Sequence, residues 1–294
     1  MRKDISFISK GLRCSGWLYV PDRMKGGSKA PSIVMAHGFT AVKEQILPSY
    51  AALFADAGFA TLVFDYRYFG DSEGEPRSQV FPLEMVEDIR NAITWVSDQP
   101  EVDSKRIGIW GTSYGGALVL HVGKYDRRVK AVVSQVPGAL SPEQRRAANP
   151  QDWDEMNEIL LRDRIARYKT GVVNYRKVVA PEGEQCCLPG REPYEAFMRD
   201  PQPNWRNQVT LESLEKMREF DPASMIHMMS PTALLLIVAE KDFFFPPDLV
   251  RAIYEKAIEP KAMSVLPVKH FEMYTEPWLS KSANMAIDWF KKYL

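Results

Sequence analysis

The residues best suited to chemistry in this chain lie in R-I-G-I-W-G-T-S-Y-G-G-A-L-V-L, residues 106–120, where Ser113 sits between Gly111 and Gly115 after an apolar run. A G-x-S-x-G pentapeptide between a strand and a helix is the pattern of a nucleophile elbow, whose glycines remove side-chain bulk where the turn brings strand and helix together. On such a turn the serine stands clear of the sheet. The N–H of Tyr114 opens the helix and points into the same space, where it can donate to a developing oxyanion with help from the helix dipole. A serine hydroxyl is a weak nucleophile near neutral pH, so it needs a histidine base and a carboxylate that orients the base.

The chain has four histidines. His270, in K-H-F-E-M-Y directly after the apolar run 262–268, is expected at a strand end on the rim that holds Ser113, and is the best base. His121 lies about two turns down the helix that follows Ser113 and reads as structural. His227, in H-M-M-S before a strand, reads as packing or as part of the lid. His37 ends another strand, and it reads as a brace for its loop, since no ligand cluster surrounds it to make a metal site. For the acid, Asp242 follows the strand 234–239 through E-K-D, while its competitor Glu240 and the adjacent Lys241 read as solvated charges. The order Ser113, Asp242, His270 is the one an elbow-type site requires. A second oxyanion donor is expected in H-G-F-T after the strand 33–36, namely the backbone N–H of Phe39.

These residues need a framework of parallel strands to hold them. Alternation over 5–9 and 12–21, separated by Lys10-Gly11, reads as an antiparallel hairpin at a sheet edge. A polar turn is expected over 24–31. Short apolar runs then alternate with helical segments: 32–39, a helix over 50–57, 60–66, a helix over 85–98, 106–111, a helix over 116–123, and 129–136. Strands without a polar face, each followed by a helix, indicate a parallel sheet covered on both sides. Over 137–231 the rhythm gives way to charged helical patterns such as W-D-E-M-N-E-I-L-L-R-D-R-I-A-R-Y and proline-containing loops, the mark of an inserted helical lid. It resumes with 232–242, a helix over 247–257, a strand over 262–268 and a closing amphipathic helix over 280–293. The expected fold class is α/β: a mostly parallel, doubly wound sheet with an N-terminal antiparallel hairpin, its core made of residues 1–136 and 232–294.

Composition narrows the function classes. The 294 residues are 45% hydrophobic, and Lys plus Arg equals Asp plus Glu at 38 each, so no global field favours nucleic acid or an anionic membrane. No stretch has the length of a membrane span or the form of a signal peptide, and the three cysteines, Cys14, Cys186 and Cys187, form no disulfide framework or zinc spacing. A cytoplasmic protein is expected. Its oligomeric state is left open, a dimer included.

The set A-H-G-F-T-A-x-K-E, D-Y-R-Y-F-G-D-S-E-G, I-W-G-T-S-Y-G-G, A-E-K-D and K-H-F resembles the α/β-hydrolase superfamily. Within it, the chain is similar to the branch of dienelactone-hydrolase-like and Xaa-Pro-dipeptidyl-peptidase-like proteins and the fungal polyketide transferase and thiohydrolase group. The resemblance spans 33–137 and 232–294. It implies Ser113 as nucleophile, His270 as base, Asp242 as its orienter, the N–H groups of Phe39 and Tyr114 as oxyanion donors, and no metal or organic cofactor. Narrow-sense dienelactone hydrolases use cysteine where this chain has Ser113, and proline-specific peptidases of the branch carry large extra domains. Asp65, Arg67, Gly70, Asp71, Ser72 and Gly74 form an element read as loop-shaping, in which Asp65 and Arg67 can pair.

The expected reaction is cleavage of an ester or thioester of a medium-sized, largely apolar acyl or polyketide-type small molecule through an acyl-enzyme. Acyl transfer, lactone opening and C–C cleavage use the same three residues. A ligand receptor on a hydrolase fold is the rival from another class, and a structural or dimerisation protein a weaker third. The lid is expected to supply the pocket from its bulky side chains, with Trp153, Met156, Tyr168 and Met228 as candidates. An exposed basic patch including Arg145 and Arg146 is a candidate docking site for an acyl-carrier protein.

Overall fold

The computed structural model describes residues 1–22 and 29–294, so most of the turn expected over 24–31 lies outside the described residues. Strands β1 (Arg2–Ser9) and β2 (Leu12–Tyr19) pair antiparallel through a two-residue turn in which Lys10 and Gly11 take φ of 50° and 82°. Such left-handed positions match the turn to the twist of a hairpin. There follow β3 (Ala30–Ala36), α1 (Leu47–Asp56), β4 (Ala60–Phe64), α2 (Pro82–Ser97), β5 (Val102–Thr112), α3 (Tyr114–Tyr125) and β6 (Val129–Gln135). After the 137–231 segment come β9 (Ala233–Ala239), α8 (Pro247–Lys256), β10 (Lys261–Leu266) and α9 (Trp278–Tyr293).

The main sheet has the order β1-β2-β4-β3-β5-β6-β9-β10, antiparallel at the β1-β2-β4 edge and parallel across the rest. The chain leaves β3 for β4 on one side and returns to β5 on the other. The carboxyl ends of β3 and β5 therefore face a topological switch point, where open α/β sheets form their binding crevice.

Period-two alternation fills both faces. Val34 and Ala36 of β3, with Leu234, Leu236 and Val238 of β9, face α2, α3 and α8; Ile33, Met35, Leu235 and Ile237 face α1 and α9. Phe290 of α9 is fully buried between Phe54 and Phe59, with ring centroids at 6.1 and 6.0 Å.

The 137–231 segment joins the adjacent parallel strands β6 and β9, so it is an insertion into an otherwise continuous sheet. It comprises α4 (Pro142–Ala148), α5 (Pro150–Thr170), β7 (Tyr175–Arg176), α6 (Arg191–Met198), β8 (Val209–Thr210) and α7 (Leu211–Glu219). Helix α5 is bounded by local chemistry. The Asn149 side chain accepts from the Asp152 N–H, Pro150 fills the first turn, and Gly171 takes a left-handed φ of 72° at the end. Arg167 ties α5 to α7 through Glu212 and Glu215. The insertion is not wholly helical, because β7 and β8 pair antiparallel. No helix among the described residues is long and apolar enough to cross a membrane.

Phe290→Ala removes a ring that bridges α9 to α1 and β4. It is expected to lower stability by about 3–5 kcal/mol, read from the urea unfolding midpoint.

Candidate active site

The elbow forms because β5 and α3 meet at a single residue. Ser113 has φ 54° and ψ −121°, a conformation that costs a non-glycine residue on the order of 1–3 kcal/mol. Neighbouring strands hold it there: the Ser113 N–H donates to the Gln135 carbonyl at 2.9 Å, and its carbonyl accepts from the Gly138 N–H at 2.8 Å. The flanking glycines are required by close approach. A Cβ on Gly111 would stand 2.3 Å from the Gly115 carbonyl oxygen, and one on Gly115 would stand 2.2 Å from that of Ala36.

The structure brings Ser113, His270 and Asp242 together. His270 Nδ1 lies 2.7 Å from Asp242 Oδ2. An ionised carboxylate only accepts, so Nδ1 carries the proton and Nε2 is left as an acceptor for the Ser113 hydroxyl at 3.2 Å. The other oxygen of Asp242, Oδ1, accepts from the N–H groups of Phe244 and Phe245 at 2.9 and 3.0 Å, which locks the carboxylate plane. Glu240 and Lys241 are exposed, while Asp242 and His270 are only 5% and 4% exposed. Position in the loop after β9 thus selects Asp242 over its competitor.

Phe39 and Tyr114 flank the serine, their rings packed edge to face at 6.3 Å. Neither backbone N–H has an acceptor among the described residues. Gly38 lies against the serine, since a Cβ there would sit 3.3 Å from the Cβ of Ser113. The Phe39 loop is braced less by His37 than by its neighbours. His37 packs its ring on Tyr66 at 4.4 Å, and among the described residues its only side-chain hydrogen bond is with the Gly38 carbonyl at 3.0 Å. The stronger tie is Asp65, which accepts from the Lys43 N–H at 2.7 Å, from Lys43 Nζ at 2.9 Å and from the Asp71 N–H at 3.0 Å. Asp65 therefore pairs with Lys43, and Arg67 pairs instead with Asp88 at 2.7 Å, which corrects the pairing expected within the motif. Burial pushes the Lys43 ammonium toward neutrality, but Asp65, Asp71 and Glu44 outweigh that and hold its pKa above the ordinary lysine value. The same three carboxylates have metal-ligand spacing, and the ammonium already fills their centre.

Ser113 and His270 open onto a cavity of about 920 Å³ between the sheet and the insertion. Trp153 and Met156 line it, as expected; Tyr168 and Met228 do not. Tyr168 is 92% exposed, about 22 Å further along α5 than Trp153. Met228 sits at the opposite end of the sheet, where its carbonyl accepts from Arg127 just before β6. His227, in the same turn, is exposed, which corrects the expectation of packing. Of the proposed basic patch, Arg146 is exposed, but Arg145 turns inward and lines the cavity, because its guanidinium donates to the Met217 carbonyl. Residues the sequence reading missed include Phe244, Phe245, Phe271 and Tyr274, which surround the His270 ring at 5.0–6.0 Å between centroids. Their signal was present as D-F-F-F and H-F-x-x-Y beside the acid and the base. A buried network behind the site had no such signal: the Thr112 hydroxyl bonds that of Tyr274 at 2.8 Å, and Gln135 donates to Tyr50 at 3.0 Å.

Burial holds the His37 imidazole at about 4, against a Gly38 carbonyl that raises it and Lys43 that lowers it further. Unfolding therefore takes up a proton between that value and the ordinary 6.5. Its contribution is complete above about pH 6.5 and is lost as pH falls toward 4. Between pH 6 and 4.5 the wild-type protein is expected to lose about 1.4 kcal/mol per pH unit more than His37→Asn, measured by urea unfolding. Parallel pH profiles would show that His37 is not held neutral.

The chain matches the X-Pro dipeptidyl-peptidase (S15) family over residues 10–149. It is 31% identical over 274 residues to a thiohydrolase of Aspergillus aculeatus, covering 88% of this chain and 83% of the relative. It is 30% identical over 269 residues to a polyketide transferase of Stachybotrys chlorohalonatus, covering 88% and 86%. The crystal structure of the alpha/beta hydrolase GrgF from a Penicillium species superimposes with a TM-score of 0.86 at 26% identity, covering 100% of this chain and 99% of that one. With the elbow at the switch point of its sheet, this chain belongs to the α/β-hydrolase superfamily, in the Xaa-Pro-dipeptidyl-peptidase-like branch that also holds fungal thiohydrolases and polyketide transferases, and it is an enzyme of that type.

Proposed function

We propose that Ser113, His270 and Asp242 are a catalytic triad that cleaves esters or thioesters of medium-sized, largely apolar acyl or polyketide-type compounds through an acyl-enzyme. The observation that carries this reading is the unbroken hydrogen-bond chain from Asp242 through His270 to Ser113, ending at the cavity. In this reading His270 Nε2 takes the hydroxyl proton as Ser113 Oγ bonds to the substrate carbonyl carbon. The N–H groups of Phe39 and Tyr114 then hold the oxyanion. As the tetrahedral intermediate collapses, His270 returns the proton to the departing alcohol or thiol. Asp242 stays ionised throughout and stabilises the imidazolium. A water deprotonated by the same Nε2 releases the acid and restores the serine. The apolar lining, from Met156, Phe197, Met217 and Phe271, suits a hydrocarbon-rich acyl group.

Transfer of the acyl group to an alcohol is the second reading, favoured by the similarity to a polyketide transferase. The chemistry differs only in which hydroxyl attacks the acyl-enzyme.

A fluorophosphonate probe is expected to label the wild-type protein and to leave Ser113→Ala unlabelled. His270→Ala and Asp242→Asn are expected to slow p-nitrophenyl ester turnover by about 10⁴-fold or more, read from kcat. A wild-type protein that resists the probe would overturn Ser113 as the nucleophile. Thioester turnover with and without an added alcohol, with the products separated by mass spectrometry, decides between hydrolysis and transfer.

A further inference from the structure

The cavity is not uniformly apolar. On the His270 side its wall is aromatic, formed by Phe244, Phe271 and Tyr274. On the Tyr114 side it carries two guanidinium groups, Arg145 from α4 and Arg218 from α7, both partly buried.

Every polar contact these two cations make among the described residues is to a neutral acceptor. Arg145 donates to the Met217 carbonyl. Arg218 donates to the Trp153 carbonyl at 2.8 Å and to Asn157 Oδ1 at 2.9 Å, and its guanidinium stacks 3.5 Å over the Trp153 ring. No carboxylate oxygen of the described residues lies within 4.0 Å of either. Arg164, Arg167 and Arg191 of the same insertion hold ion pairs, whereas Arg176, which also lines the cavity, holds none among the described residues, and its buried Nε has no partner there. Asp221 and Asp154 act on Arg145 and Arg218 only from beyond ion-pair distance.

Carboxylates elsewhere in the lining do not offset the pair. Asp152, Glu155, Glu184 and Asp200 are exposed at the rim, and Glu44 is held by Lys43. The two are neighbours, since Arg145 is bonded to the carbonyl of the residue before Arg218; burial lowers the pKa of both, and the repulsion of Arg145 lowers that of Arg218 further. Beside Arg145 the Tyr114 hydroxyl is buried and also has no partner among the described residues. Two adjacent cations kept without a counter-ion in a cavity wall leave an unmet demand for one.

We propose that Arg145 and Arg218 form an anion subsite that takes a carboxylate carried by the acyl half of the substrate. The inference rests on the reading that Ser113 attacks a carbonyl bound in this cavity, and it names the class of acyl group: apolar in its body and acidic at its far end. The side of the cavity assigns the anion to the acyl half. A leaving group must lie where His270 Nε2 can protonate it, against the aromatic wall, whereas Arg145 and Arg218 are carried by α4 and α7 of the insertion, Arg145 beside the Tyr114 hydroxyl.

The test is a calorimetric titration of Ser113→Ala, which binds without turnover, with the monomethyl and dimethyl esters of six-, eight- and ten-carbon dicarboxylic acids. At the best chain length the half-ester is expected to bind about tenfold or more tightly than the neutral diester. That preference is expected to vanish when Arg145→Met and Arg218→Met are added, to return in part with Arg145→Lys, and to persist in Arg146→Met, which removes an exposed charge from the same helix. Equal binding of the two esters at every length, no binding of either, or a preference that survives the double substitution in a protein with an unchanged thermal midpoint would overturn the subsite. Loss of the preference in Arg146→Met would overturn it in favour of a diffuse field. A second arm compares coenzyme A with N-acetylcysteamine thioesters of one neutral acid in the wild-type background: an arginine dependence seen only with coenzyme A would move the anion to the phosphates of the leaving group and overturn the acyl assignment. Labelling of Ser113 without a half-ester preference would sink the subsite alone. A half-ester preference without labelling would sink the triad and with it the acyl assignment, leaving only a carboxylate site in the cavity wall.

Discussion

Ser113 is held in a backbone conformation that few residues other than glycine adopt, and the neighbouring structure is arranged to keep it there. Its N–H and carbonyl are both tied to the end of β6 and the residues just after it, so the turn cannot relax without breaking sheet-type hydrogen bonds. The two flanking positions admit no side chain, because the chain of α3 runs against the ends of β3 and β5. This one constraint explains why the serine projects above the sheet, why α3 begins at once with Tyr114, and why the Phe39 loop lies so near. The cost of the turn, on the order of 1–3 kcal/mol, is small beside the burial of Ile109, Trp110, Ala117 and Leu118 on either side of it.

A second tie fixes the other half of the site. Lys43 and Asp65 are both almost fully buried and bond each other, joining the loop that carries Phe39 to the loop after β4. Removing one partner of such a pair leaves a buried charge unmatched, at a cost of about 3–5 kcal/mol. The insertion reaches the same loops: Trp205 Nε1 donates to the Thr40 carbonyl at 3.0 Å, and Asn204 donates to Asp71 at 3.1 Å. The roof of the cavity is thus anchored to the loop that supplies a candidate oxyanion donor.

How far the sequence could be read depended on whether a residue's surroundings were local. The elbow and the hairpin turn follow from glycine and serine acting on their immediate neighbours. Asp242 and His270 were legible because each sits a few residues past an apolar strand, and parallel strands end at a common rim. The pairing of Asp65 was not legible, since Lys43 and Arg67 are both plausible partners for a carboxylate and only the path of the chain brings Lys43 to it. Tyr168 and Met228 were misread for a related reason. Bulky apolar type says that a side chain seeks cover, but the long axis of α5 carries Tyr168 past the cavity, and the turn before β9 carries Met228 to the far end of the sheet.

By itself the sequence determined the order of strands and helices outside 137–231, the turn that exposes Ser113, and the two residues that bond in line with it, because hydrophobic period and turn chemistry are properties of neighbouring residues and parallel strands end at a common rim. Only the tertiary structure decided what shares a cavity with that serine. Side chains from α4, α5, β7, α6 and α7 converge there through packing directions that no spacing encodes. Arg145 is the plainest case. Its sequence neighbours made it look like part of a basic outer surface beside Arg146, and its hydrogen bond to the Met217 carbonyl of α7 holds it inward, where it lines the cavity and no carboxylate of the described residues pairs with it.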